Sequence, residues 1–118
     1  MRIIIIGDGK VGTTLVSHLS SEGHNITVLD KNPDVIESLV NTYDVLGICG
    51  NGASYEILKE AGASHADLVI SATSSDEINI LSCLIARNLG TKSTIARVRN
   101  YDYNMQVDEM RKDLGLDM

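Results

Sequence analysis

Three glycines stand at the spacing G-x-G-x-x-G in Gly7-Asp8-Gly9-Lys10-Val11-Gly12. They follow the apolar run Arg2 to Ile6 directly and lead into a segment that carries Val11, Leu15, Val16 and Leu19 on one helical stripe. A strand that turns into a helix through such glycines makes an anion site. The first glycine permits the tight turn, the second lets a pyrophosphate approach the backbone, and the third lets the helix pack closely on the strand. The helix start adds unpaired N–H groups at the positive end of its dipole. Asp30, roughly 20 residues further on, ends a second apolar run, where the acid of this arrangement accepts hydrogen bonds from the adenosine ribose hydroxyls. Its charge opposes a 2′-phosphate and so favours NAD(H) over NADP, a preference that neighbouring Lys31 weakens. The lesser alternative is that the glycines serve a bare turn and Asp30 caps the next helix. The order strand, glycines, helix and acid favours the nucleotide.

Ligands of doubly wound sheets lie beyond the carboxyl ends of the strands, which brings three more loops into play. Gly50-Asn51-Gly52-Ala53-Ser54 is small enough to admit an adenine ring, with Asn51 as donor and acceptor, or it is a plain turn before a capped helix. Ala72-Thr73-Ser74-Ser75-Asp76-Glu77 places hydroxyls near the expected phosphates, although Thr73, Ser74 or Ser75 would each make a helix N-cap in any case. Arg97 closes the last strand on the crevice side and is suited to a phosphate, a carboxylate or an ordinary surface ion pair. The expected cofactor contacts are thus Gly7, Gly9, Lys10, Val11, Gly12, Asp30, Lys31, Asn51, Gly52, Ala53, Thr73 and Arg97. Tyr55 and Lys59 reproduce the Tyr-x-x-x-Lys of short-chain dehydrogenases, but on a short helix after the third strand, away from any nicotinamide. Both are expected to be surface residues, as are His18, His24 and His65, which have no convergent partners in the sequence.

The elements that must hold these residues alternate short β-branched runs with segments of helical period. Strands are expected at Arg2 to Ile6, Ile26 to Leu29, Tyr43 to Cys49, Asp67 to Ala72 and Ser93 to Val98. Helices are expected at Lys10 to Ser21, Pro33 to about Asn41, Ser54 to Glu60, Ser75 to Leu89 and about Tyr103 to Leu114. Right-handed crossovers predict a three-layered α/β fold of Rossmann type, a doubly wound parallel sheet with the second and third strands on one side of the first and the fourth and fifth on the other. The last helix carries Met105, Val107, Met110 and Leu114 on a stripe that packs on its own sheet or takes a second copy of the chain.

Composition bounds the alternatives. The chain has 118 residues, 43% hydrophobic and 22% charged, enough for one domain but not for a second. With 3% aromatic residues, and neither Phe nor Trp, the core falls to Ile, Val, Leu and Ala. A formal net charge of -6 and a pI near 4.8 repel phosphate backbones. The densest cations, Arg97, Arg99, Arg111 and Lys112, are interleaved with acids, so nucleic acid is excluded as a partner. The apolar run from Met1 to Ile6 is too short for membrane insertion. Cys49 and Cys83, far apart in apolar surroundings, read as buried reduced thiols.

Taken together, the sequence resembles the TrkA-type nucleotide-binding domain of the regulator-of-potassium-conductance (RCK) family. The resemblance runs through Ile3 to Gly12, Val28-Leu29-Asp30, Gly50 to Ser54, Leu58 to Ala63, Ala66-Asp67, Ala72 to Asn79 and Ala96 to Arg99. It implies a non-enzymatic regulatory domain that binds NAD(H) or ATP, ADP or AMP and pairs into a homodimer or larger ring. Such a domain would control a membrane potassium-translocating subunit from the cytoplasmic face. The family's ligand positions fall on Gly7, Gly9, Gly12, Asp30, Asn51, Ala53, Thr73 and Arg97. Where many ATP-preferring relatives have Arg this chain has Lys10, and where many members have Asp it has Asn51. The family's chain continues into a further lobe, so residues 1–118 are expected to be its N-terminal lobe. The competing possibility is the cofactor-binding half of an NAD-dependent dehydrogenase. Against it stands the lack of a His-Asp or Tyr-Lys pair at the nicotinamide end.

Overall fold

Four consecutive isoleucines make β1 (Arg2–Ile6), and each of them is buried. A strand that is apolar on both faces must lie in the middle of a covered parallel sheet, and β1 does. The computed structural model describes residues 1–7 and 10–114, with 10, 11 and 111–114 described by their backbone alone. Its elements run β1, α1 (Lys10–Ser21), β2 (Asn25–Asp30), α2 (Pro33–Thr42), β3 (Leu46–Cys49), α3 (Tyr55–Glu60), a 3-10 turn (Ala63–His65), β4 (Leu68–Ser71), α4 (Asp76–Leu89), β5 (Ser93–Ala96) and α5 (Tyr101–Leu114). The strands are parallel in the order β3-β2-β1-β4-β5, the expected doubly wound arrangement.

The period of two along β1 divides the core. Ile3 and Ile5 join Val16, Ile26, Val28, Ile36 and Leu39 under α1 and α2. Ile4 and Ile6 join Leu29, Leu58, Val69 and Ala86 under α3 and α4. Burial of each such side chain contributes roughly 1.5–3 kcal/mol, so the two sides together fix the register of the central strand.

Helix starts are marked as the capping rules require. Asn32 accepts the N–H of Asp34 ahead of Pro33, Ser54 accepts that of Ile57, and Ser75 accepts that of Ile78. The α5 helix begins at Tyr101, two residues before the expected start. Asn100 accepts the N–H of Asp102 through its side chain and that of Asn104 through its carbonyl, a polar nucleus invisible to apolar periodicity. The β3 strand is shorter than expected because the N–H of Tyr43 bonds Leu39 and still belongs to the end of α2.

Cys49 is exposed, against expectation, because it ends β3, an edge strand of the sheet. Cys83 is buried between α4, β5 and α5. His24 also departs from the expected isolation: it is half-buried, 3.4 Å from the terminal ammonium and 3.4 Å from Glu22. The apolar stripe of α5 divides. Val107 packs with Cys83 and Ala96, whereas Met105 and Met110 stay exposed. The side chain of Leu114 lies outside the described residues.

Candidate functional site

Every strand–helix loop of a parallel sheet with right-handed crossovers leaves from the same edge, and here each ladder runs one bond past its strands. The N–H groups of Gly7, Gly50, Ala72 and Arg97 donate to Leu29, Asp30, Ile6 and Ser71 at 2.8–2.9 Å. The loops are thereby pinned where they begin. Between them lies a cavity of about 250 Å³, lined by Gly7, Asp30, Lys31, Asn51, Gly52 and Thr73 of the expected set, with Asn32, Ser74 and Ser75 beside them. Ala53, Gly12 and Arg97 stand outside this lining. Gly9, together with the side chains of Lys10 and Val11, lies outside the described residues.

Gly7 has φ of +101°, and a Cβ there would stand 2.8 Å from the Thr73 nitrogen and 2.9 Å from the Ala72 carbonyl carbon. Both the conformation and the space demand glycine. A Cβ on Gly12 would collide with the Gly7 carbonyl oxygen, which is the close packing of helix on turn that the motif predicts. Gly52 presses in the same way on Ile6.

Asp30 is 9% exposed at the end of β2, and its Oδ1 accepts the N–H of Asn32 at 2.8 Å. Asn32 in turn caps α2, so Asp30 supports the helix start and borders the crevice at once. The Oδ1 of Asn51 accepts the N–H of Ala53 at 2.9 Å, closing the turn before α3 while Asn51 lines the cavity.

Thr73 is held from within. Its hydroxyl donates to Asn79 Oδ1 at 2.7 Å and accepts the N–H of Ser75 at 3.2 Å, and its own N–H donates to Asn79 Oδ1 at 2.8 Å. The expected hydroxyl beside the phosphates is therefore already engaged. Ser74 and Ser75 complete this wall, and Ser75 caps α4.

Arg97 is half-buried. Its carbonyl accepts from Asn79 Nδ2 at 2.8 Å, and its charge helps lower the pKa of Asp76. The larger cause of that lowering is the N–H of Arg99, with Asn100 adding a second donor at 2.7 Å. Glu77, lowered chiefly by its own N–H and then by the Tyr103 hydroxyl, ties the start of α4 to α5. Neither Asn79 nor Asp76 is among the site residues expected from the sequence. The available signal was a polar side chain, Asn79, on the stripe of α4 that also carries Ser82, Cys83 and Ala86.

A larger cavity of about 500 Å³ lies at the opposite edge, among Arg2, His24, Asn25, Asp44 and His65. There α1 ends and β1 and β2 begin, without the glycine turn or a positive helix end, so the smaller cavity is the candidate site. Tyr55 and Lys59 are exposed on α3, as expected. Among the described residues no three His, Cys, Asp or Glu side chains converge as a metal set, and no helix is long and apolar enough to cross a membrane.

A five-stranded all-parallel sheet with a glycine turn after its central strand and an acid after the next defines a Rossmann-type α/β domain. The chain belongs to the TrkA-N domain family, whose model matches residues 3–118. It is 38% identical over 117 residues to a Trk system potassium uptake protein TrkA homolog of Methanothermobacter thermautotrophicus, covering 99% of this chain and 52% of that protein. It is 40% identical over 111 residues to Trk system potassium uptake protein TrkA of Haemophilus influenzae, covering 93% of this chain and 24% of that protein. The chain thus spans about half of one relative and a quarter of the other. Among solved structures it is similar to the GsuK channel bound to NAD, with 25% identity and a TM-score of 0.79 over 98% of this chain and 20% of that one. GsuK bound to ADP matches with the same identity and TM-score over 99% of this chain and 30% of that one.

Proposed function

We propose that this chain is the nucleotide-sensing domain of a potassium uptake system, binding NAD(H), with ADP, AMP and ATP as competitors for the same crevice. The observation that carries the proposal is that Gly7 and Asp30, the phosphate and ribose positions of the motif, open onto one cavity at the carboxyl edge of the sheet. The Haemophilus and Methanothermobacter relatives are named for potassium uptake, and GsuK is a channel solved with NAD and with ADP, which supports both the ligand class and the setting. The domain runs no reaction of its own; it acts from the inner face of the membrane through a potassium-translocating partner.

Pairing with a second copy is part of the proposal. An apolar groove of about 350 Å³ runs between α4 and α5, lined by Ile80, Leu81, Leu84, Val107 and Met110. Leu81 and Met110 are 45% and 38% exposed there, the kind of surface that a partner covers. A ligand shifts such pairing only through different affinities for the two arrangements.

Calorimetric titration with NADH, NAD, ADP and ATP tests the core of the proposal: binding with mutual competition is expected, and no binding of any adenine nucleotide overturns it. Sedimentation with each ligand tests the second part. Identical sedimentation in every state, together with turnover of NADH on a carbonyl substrate, would favour a dehydrogenase fragment.

A further inference from the structure

Asn79 is wholly buried on the inner face of α4, yet both arms of its carboxamide are engaged. Its Oδ1 accepts from the Thr73 N–H at 2.8 Å, the Thr73 hydroxyl at 2.7 Å and the Ser71 hydroxyl at 3.1 Å. Its Nδ2 donates to the carbonyls of Thr73 at 3.1 Å and Arg97 at 2.8 Å. One side chain thus joins the end of β4, the crevice loop and the end of β5. Had α4 needed only a packing residue here, an apolar side chain would have served without the desolvation of an amide. The carboxamide is demanded by what faces it, donors on one side and two carbonyl oxygens on the other.

The loop held in this way forms one wall of the crevice. The Thr73 nitrogen is the atom that a Cβ on Gly7 would meet at 2.8 Å, so the glycine turn of β1 and the wall after β4 touch through Thr73. We infer that Asn79 is the positioning residue of the nucleotide site, fixing Thr73 against Gly7 so that the crevice is formed before ligand arrives. This rests on the nucleotide assignment of that crevice. A site formed in advance spares the ligand the ordering of its own loop, so loosening the loop lowers affinity without removing any atom that lines the cavity.

Asn79→Asp is the informative variant. It keeps the shape and the accepting oxygen but sets a second oxygen against the carbonyls of Thr73 and Arg97. Burial and the two facing carbonyl oxygens disfavour the ionised carboxylate and raise its pKa, against the donors that remain on the other oxygen; the protonated acid donates to one carbonyl and restores half of the lost arm. The groups around it leave the intermediate pH range clear. Asp76 and Glu77, on the same helix, titrate below the ordinary carboxylate range, and Cys83, one turn further along, is pushed up to about 12 by burial.

NADH and ADP are titrated against the parent protein, Asn79→Asp and Asn79→Ser across the mildly acidic to neutral range, with a thermal melt of each. Expected for Asn79→Asp is an affinity about tenfold below the parent near neutrality, recovering towards it as pH falls, while Asn79→Ser melts cooperatively and stays about tenfold weaker at every pH. In the unliganded parent the Thr73 amide should be protected from hydrogen exchange, which needs no variant to fold. Folded variants that bind both nucleotides as the parent does, or rapid exchange at Thr73, overturn the inference. A parent that binds neither NADH nor ADP overturns the nucleotide assignment itself, and the positioning role with it.

Discussion

A methyl group on Gly7 would stand 2.8 Å from the backbone nitrogen of Thr73, so the turn after β1 and the loop after β4 are in contact at a single glycine. Backbone atoms on the Thr73 side cannot swing away as a flexible side chain would, and the φ of +101° adds its own strain. Gly7→Ala is expected to lower stability by at least about 1–2 kcal/mol and to abolish NADH binding. A thermal melt with a parallel titration checks both; an unshifted melting temperature would show that the two loops move apart freely.

Asp30→Ala should weaken NAD by about tenfold, since charge-assisted hydrogen bonds to the ribose contribute roughly 1.5 kcal/mol or more. The gap between NAD and NADP should narrow. The variant also removes the acceptor for the Asn32 N–H, so it should melt about 1 kcal/mol less stable. Titrations of both dinucleotides well below the melting temperature separate the effects: an unchanged NAD/NADP ratio would leave Asp30 with a structural role alone.

Asp76 holds the start of α5 through the N–H groups of Arg99 and Asn100. Its folded pKa is lowered from 3.8, so the stabilisation is present above the unfolded value and is lost as pH falls through the folded one. Protection of the Arg99 and Asn100 amides should therefore persist at pH 3.8 and disappear only below it. Asp76→Asn sets an NH2 group against one of the donors and should speed exchange at these amides at every pH, leaving Ile5 and Val69 in the sheet protected. Equal loss throughout the sheet would contradict this division.

The two thiols should react very differently. Cys49 is exposed beside Asp30 on the neighbouring strand, whereas Cys83 is buried and pushed up to about 12. Iodoacetamide at neutral pH should modify Cys49 in the folded protein and Cys83 only after unfolding. On the proposed assignment saturating NADH should slow the reaction of Cys49, because Asp30, the proposed ribose contact, stands opposite it on the neighbouring strand. Mass spectrometry of the modified peptides measures both rates, and fast labelling of Cys83 under native conditions would contradict the packing of α4 on β5.

Much of this protein was determined by sequence alone because its signals are local. Four isoleucines in a row ending at a glycine turn read as a strand covered on both faces, three glycines at fixed spacing follow it directly, and Asn32-Pro33-Asp34 caps a helix in whatever fold it finds itself. Right-handed crossovers then order the strands, and Asp30 and Gly7 meet at the carboxyl edge without further information. What tertiary structure decided is long-range and polar. Asn79 looks like an unremarkable member of a helical stripe until Thr73 and Arg97 are brought to it from two other segments. Asp76 looks like a first-turn acid until Arg99 and Asn100, more than twenty residues away, present their amides. Cys49 looks buried by its apolar neighbours, but its exposure depends on β3 falling at the edge of the sheet. Periodicity and capping act within a few residues; which backbone groups a buried amide will satisfy is settled only when the strands are side by side.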